Sequence, residues 1–156
     1  NYTQRAAEQQ PFPDQTYEVV ICVDVLEHVH SPQQTIAEIN RVLKPGGSFC
    51  FDTINRTWQS KLVMIWLLEN ITQQIPRGVH DWRKFITPTE LTNMMTARKM
   101  TVTTITGFDL FGRGIAGKWK RLRKYQQTGE LQVDFDSQKH ASQNIMYIGV
   151  ANKAAI

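Results

Sequence analysis

The stretch Tyr17-Glu18-Val19-Val20-Ile21-Cys22-Val23-Asp24-Val25-Leu26-Glu27-His28-Val29 decides the reading of this 156-residue chain. Its first half is apolar and rich in β-branched residues, as a buried strand requires. It then breaks into two carboxylates and an imidazole: Asp24, Glu27 and His28. In open α/β sheets, ligands bind in the crevice outside the carboxyl ends of the strands. A functional site is therefore expected here.

Beyond this strand, Ser31-Pro32 supplies an N-cap followed by a proline suited to the first helical position. Ile36, Ile39, Asn40, Val42 and Leu43 follow at mostly helical spacing, and Lys44-Pro45-Gly46-Gly47 stops the helix. Residues 48–54 form a second strand, and a strand, helix, strand succession implies parallel pairing. A further helix is predicted over 58–75, with Trp58, Leu62, Ile65, Trp66, Ile71 and Ile75 supplying most of one broad apolar face. Thr87-Pro88-Thr89-Glu90 is a capping box that starts a helix of about 12 residues carrying Leu91, Met94 and Met95. Strands are predicted over 100–105 and 145–151. Residues 112–142 are polar, basic and poorly periodic, the pattern of an insertion.

The length suits one domain with a core that needs no disulfide or metal staple. Cys22 and Cys50 both fall in strand-like segments, so buried free thiols and a reducing, cytosolic setting are expected. Residues 1–10 are polar and lack the apolar core of a signal peptide. The longest apolar run, residues 62–68, is far short of the roughly 20 residues that span a bilayer. The net charge of +4 is local: Arg113, Lys118, Lys120, Arg121, Arg123 and Lys124 stand together without an acidic residue, leaving the remainder net negative. One anionic contact patch fits this pattern, whereas nucleic acid is not expected, because a single basic loop lacks a base-stacking aromatic platform.

The motifs Pro11-Phe12-Pro13-Asp14, Tyr17-Glu18-Val19-Val20, Leu26-Glu27-His28-Val29, Glu38 and Arg41-Val42-Leu43-Lys44-Pro45-Gly46-Gly47 resemble the second half of class I S-adenosylmethionine-dependent methyltransferases. Asp52 to Arg56, Ile75 to Asp81, Lys84 to Leu91 and Ile105-Thr106-Gly107 narrow the resemblance to the O-methyltransferases of ubiquinone biosynthesis, which act on polyprenyl catechols and demethylubiquinol. The resemblance covers roughly residues 11–110. It implies an α/β, Rossmann-like class I methyltransferase sheet that is incomplete, with strands 4, 5, 7 and 6 of the order 3-2-1-4-5-7-6 and flanking helices.

No glycine-rich phosphate loop occurs in the chain. In the family, the glycine-rich loop for the donor and the acidic residue for its ribose lie upstream of the matching segment. The resemblance therefore implies that residues 1–156 are the carboxyl-terminal part of a single methyltransferase domain, with a basic insertion at about 112–142 and a missing amino-terminal half. Strand 4 would then be an exposed apolar edge, and weak cofactor binding and self-association are expected of this chain alone.

Methyl transfer from a sulfonium is a displacement that depends on positioning. A phenol, with a reference pKa of about 10, must lose its proton to attack well. The resemblance places Mg²⁺ at Asp24, Glu27 and His28, with Asp24 where glutamate is usual; a metal there would acidify and orient a catechol. Leu-Glu-His also occurs in methyltransferases without a metal, where the histidine packs or hydrogen-bonds at the strand end. Val23 corresponds to a position whose backbone meets the adenine side of S-adenosylmethionine, or it is plain core.

His80 and Asp81 lie in a loop that faces the acceptor in the family. The histidine could take the phenolic proton or simply anchor the loop. Asn55 and Arg56 line the substrate mouth or shape a turn. The Trp58 helix, and the insertion with Trp119, offer either contacts to an anionic membrane surface at the inner face of a membrane, or an ordinary lid and a solvated loop. Three functions compete: O-methylation of a polyprenyl phenol, methylation of another small-molecule acceptor, and a non-catalytic fragment acting through lipid or protein contacts.

Overall fold

A computed structural model of the chain describes residues 4–73, 75–108, 123–124, 127–128 and 142–155. Strand β1 (Tyr17–Cys22) leads through α1 (Pro32–Val42) to β2 (Leu43–Ile54). A one-turn helix α2 (Trp58–Ser60) runs into a π-helix (Lys61–Ile71), and a 3₁₀ turn (Trp82–Lys84) precedes α3 (Pro88–Thr96). Strands β3 (Met100–Phe108) and β4 (Met146–Lys153) complete the sheet.

Its order is β1-β2-β4-β3, with β1 parallel to β2 and β4 antiparallel to both its neighbours. This is the expected succession of strands 4, 5, 7 and 6. β1 stands at an edge and presents Val19, Ile21 and Val23 to solvent, Ile21 being 70% exposed.

The caps are those the sequence announces. The Ser31 hydroxyl accepts the Gln34 N–H, and Thr87 and Glu90 form a reciprocal capping box that starts a nine-residue helix. After α1, pairing begins at Leu43 opposite Tyr17 and resumes at Ser48 opposite Val19, so Lys44-Pro45-Gly46-Gly47 bulges within β2 rather than preceding it. Gly46 takes φ +76°, and a Cβ on Gly47 would lie 3.0 Å from the Glu18 carbonyl.

Arg41 explains why the motifs around it go together. Its guanidinium grips Glu38 through two nitrogens and donates to Asp14 and to the carbonyls of Gln10 and Phe12. The segment before β1 is thus fastened to α1 by bidentate, charge-assisted bonds.

One face of the sheet packs on α1 and α3. Phe49, Phe51, Tyr147 and Ala151 meet Ile36, Ile39, Leu91 and Met95 there. A second cluster joins Ile54, Phe85 and Met146 to Met64 and Leu68 of the π-helix.

The helix at 58–75 departs from expectation. Its α-helical part is only one turn, and the winding that follows bonds residues five apart, as at Thr72 N–H to the Leu67 carbonyl. That winding turns Met64, Leu68 and Glu69 inward, with Ile65 and Ile75 packed beside them. Trp58 (68% exposed), Leu62, Trp66 (57%) and Ile71, four residues of the predicted apolar face, stand in solvent. The bulk of the predicted insertion, including Arg113, Lys118, Trp119, Lys120 and Arg121, lies outside the described residues.

Candidate active site

The chain turns sharply where β1 ends. Asp24 has φ +51°, a left-handed conformation that aspartate tolerates better than most residues, and its amide donates to Asp52 Oδ1 at 2.7 Å. This clamp joins the carboxyl ends of the two parallel strands. Beyond it, Leu26 enters the core and Glu27 is buried, its Oε2 accepting the Thr53 hydroxyl at 2.9 Å. His28 remains exposed and its ring lies 5.4 Å from that of His80.

These residues surround a pocket of about 250 Å³. Its polar side is Asp24, Glu27, His28, Asp52 and His80; Ile54, Met64, Ile75 and Met146 form the apolar wall. Burial, above all, pushes the Asp52 carboxyl up to about 6, and the charges of Asp24 and Glu27 act in the same direction. Burial likewise raises Glu27. The Cys22 thiol beneath them is pushed up to about 12, by burial first and then by the Glu27 and Asp52 carboxylates, which makes it a poor nucleophile.

Behind His80 lies a buried carboxylate on the π-helix. Glu69, 2% exposed, accepts the backbone N–H groups of Gly78 (2.9 Å) and His80 (2.8 Å), and its Oε1 lies 2.7 Å from His80 Nδ1. The edge of the His80 ring is further supported by Phe85. Glu69 and Asp52 escaped the sequence reading. A single acid in the apolar run from Leu62 to Ile71, and an acid near the end of a core strand, were the available signals.

The structure sorts the predicted residues. Asp24, Glu27, His28 and His80 share the pocket. Glu27 is turned toward Thr53 beneath the surface, Asp24 and His28 are exposed, and no group of three His, Cys, Asp or Glu residues that could hold a metal ion is found among the described residues.

Asp81 caps the 3₁₀ turn, accepting from Arg83, which holds its carboxyl below the usual range. Asn55 donates to the Gln143 carbonyl and Arg56 pairs with Glu90, so both fasten the end of β2 to its neighbours and neither lines the pocket. Val23 is half exposed just past β1, on the rim of a separate groove of about 410 Å³ that includes Arg5, Phe12 and Tyr17.

A model of the methyltransferase domain matches residues 1–51. The chain is 44% identical over 81 residues to the ubiquinone biosynthesis O-methyltransferase of Saccharophagus degradans, covering 52% of this chain and 34% of that protein. It is 39% identical over 107 residues to the protein of the same name from Aliivibrio fischeri, covering 68% of this chain and 46% of that one. By these matches the chain is similar to the methyltransferase domain family.

Solved structures of the same fold agree. An S-adenosylmethionine-dependent methyltransferase of Thermotoga maritima superposes with a TM-score of 0.61 at 16% identity, over 94% of this chain and 61% of that one. A cyclase superposes with a TM-score of 0.56 at 15% identity, over 99% of this chain and 56% of that one. The fold thus serves more than one reaction, and the reaction must be argued from the site. The chain spans between a third and a half of the length of the curated relatives it matches.

Proposed function

We propose that this chain forms the acceptor side of an O-methyltransferase that moves a methyl group from S-adenosylmethionine to a phenolic hydroxyl of a polyprenyl catechol or demethylubiquinol. The observation that carries the reading is its 39–44% identity to ubiquinone biosynthesis O-methyltransferases, joined to a pocket with hydrogen-bonding groups on one side and an apolar wall on the other. Such a pocket suits a phenol that carries a hydrocarbon tail.

The carboxyl ends of β1 and β2 lie side by side and Val23 is accessible there, a fit for the adenine side of the methyl donor. When bound, the donor supplies an electrophilic methyl group. The pocket residues hold the acceptor oxygen and exclude water from it. We assign the glycine-rich loop that grips the donor to sequence outside these 156 residues, since none occurs within them. The test is transfer of labelled methyl by the protein expressed from its complete gene. Methylation of a prenylated catechol and a demethylubiquinol analogue is expected. Methylation only of unprenylated phenols would favour another small acceptor, and no methylation at all would favour a non-catalytic role.

A membrane surface is the second element of the reading. No described helix is long and apolar enough to cross a bilayer. Trp58, Leu62, Trp66 and Ile71 nevertheless project from the helical segment into solvent, close to Lys61 and followed by Arg77, the composition of an interfacial helix. A prenylated substrate resides in that interface. Replacing both Leu62 and Trp66 with Gln should lower partition onto vesicles containing anionic lipid at least about tenfold, since each buried apolar side chain contributes about 1.5–3 kcal/mol. The urea midpoint should hardly move, because both side chains are exposed. Unchanged vesicle binding, measured by co-sedimentation, would remove the membrane from the account.

A further inference from the structure

We propose that Glu69 is a positioning residue that fixes His80 with Nε2 toward the pocket, making His80 the proton acceptor for the phenol; this rests on the methyl-transfer reading above. Glu69 Oε1 already receives the His80 backbone N–H and Oε2 receives that of Gly78, so the carboxylate is acting as an acceptor. We assign the ring nitrogen 2.7 Å from Oε1 as the donor. With the proton on Nδ1, the lone pair of neutral imidazole resides on Nε2.

The histidine is one of the pocket-lining residues, and its side chain and that of Glu69 are 8% and 2% exposed. A carboxylate that orients a histidine, which in turn addresses the reacting hydroxyl, is the arrangement general-base chemistry uses. The two backbone bonds serve the same end, because they hold the loop that carries the ring. The groups facing His80 are Glu69 from the π-helix, Asp24, Glu27 and His28 from the segment after β1, and Asp52 from β2. Lys84 approaches the carbonyl of His28.

In the step itself, the phenolic O–H bond breaks, an Nε2–H bond forms, and the electron pair stays on the oxygen. The imidazolium keeps its Nδ1–H on Glu69 and later returns the other proton to water.

The test compares catechol with 4-nitrocatechol, which is already ionised at mildly alkaline pH. With protein from the complete gene, His80→Gln should lower turnover on catechol about 100-fold. It should lower turnover on 4-nitrocatechol only a few-fold, with KM for both phenols little changed. Glu69→Gln keeps an acceptor oxygen but removes the charge that orients the ring, and should likewise lower turnover on catechol far more than on 4-nitrocatechol. Equal losses on the two phenols in either variant would overturn the proposal and leave Glu69 and His80 as a loop anchor.

If the unaltered protein methylates neither phenol, the methyl-transfer reading fails separately, and the ultraviolet difference spectrum of bound catechol decides the proton path. A phenolate band present with His80 and absent in His80→Gln upholds the dyad. Absence of the band in the unaltered protein, or of any catechol binding, refutes it.

Discussion

Gly149→Ala is expected to destabilise the protein by about 3 kcal/mol or more, the upper range for overpacking a core. Gly149 lies on β4 directly opposite Phe51 of β2, where the two residues share a face of the sheet. An added Cβ would stand 2.5 Å from the tip of the Phe51 ring, 2.6 Å from the Thr104 carbonyl oxygen and 2.9 Å from Ile105. The ring could yield by a change of rotamer, but the carbonyl belongs to β3 and is fixed by its ladder.

A domain of this kind holds only about 5–15 kcal/mol in reserve, so the loss is a large share of the whole. The urea midpoint should fall steeply with an unchanged slope. Gly46→Ala is the informative control. Nothing lies within 4 Å of its Cβ position, and only its φ of +76° opposes the change. It should cost about 1 kcal/mol. Similar midpoints for the two variants would mean that β4 does not pack on Phe51 as described.

Asp52→Asn should have the opposite sign and depend on pH. The folded protein binds the Asp52 proton more tightly than the unfolded chain does, since the carboxyl is raised from 3.8 to about 6. Stability from this group is therefore full below about pH 4 and is lost as pH rises to about 6. Above that, a charge sits at a largely buried position beside Asp24 and Glu27.

The shift sets an upper bound of about 3 kcal/mol, which water entering past the exposed Asp24 reduces to about 1–2 kcal/mol. Asparagine retains an oxygen to accept the Asp24 amide but carries no charge. Urea midpoints at pH 7 should thus rise in Asp52→Asn and converge with those of the unaltered protein near pH 4. A variant less stable at pH 7 would show that the charge is satisfied by something the pocket geometry omits.

The sheet was legible because its determinants are local. An apolar run rich in β-branched residues marks β1, and Ser31-Pro32 and the Thr87 box mark the helix starts. Half of the pocket was legible for the same reason, because Asp24, Glu27 and His28 follow one strand in sequence. The rest was not. Which residues of the helical segment turn inward was not legible, because the expected periodicity was that of an α-helix, whereas the segment winds with bonds five residues apart. Glu69 acts on groups nine and eleven residues away across a turn. Asp52 meets Asp24 across 28 residues, and only the sheet brings them together. Adjacency in sequence likewise does not reveal that Glu27 turns inward to Thr53 while Asp24 and His28 face out.

We propose that the pocket between the end of β1, the end of β2 and the Glu69–His80 pair receives a phenolic acceptor. The decisive experiment is to titrate the isotope-labelled chain with a prenylated catechol and follow its amide resonances. Saturable shifts centred on residues 24–28, 52–54 and 78–80, with the aliphatic signals of Met64 and Met146 moving alongside, are the predicted result. Shifts confined to the groove around Arg5, Phe12 and Tyr17, or no saturable shifts at all, would contradict it.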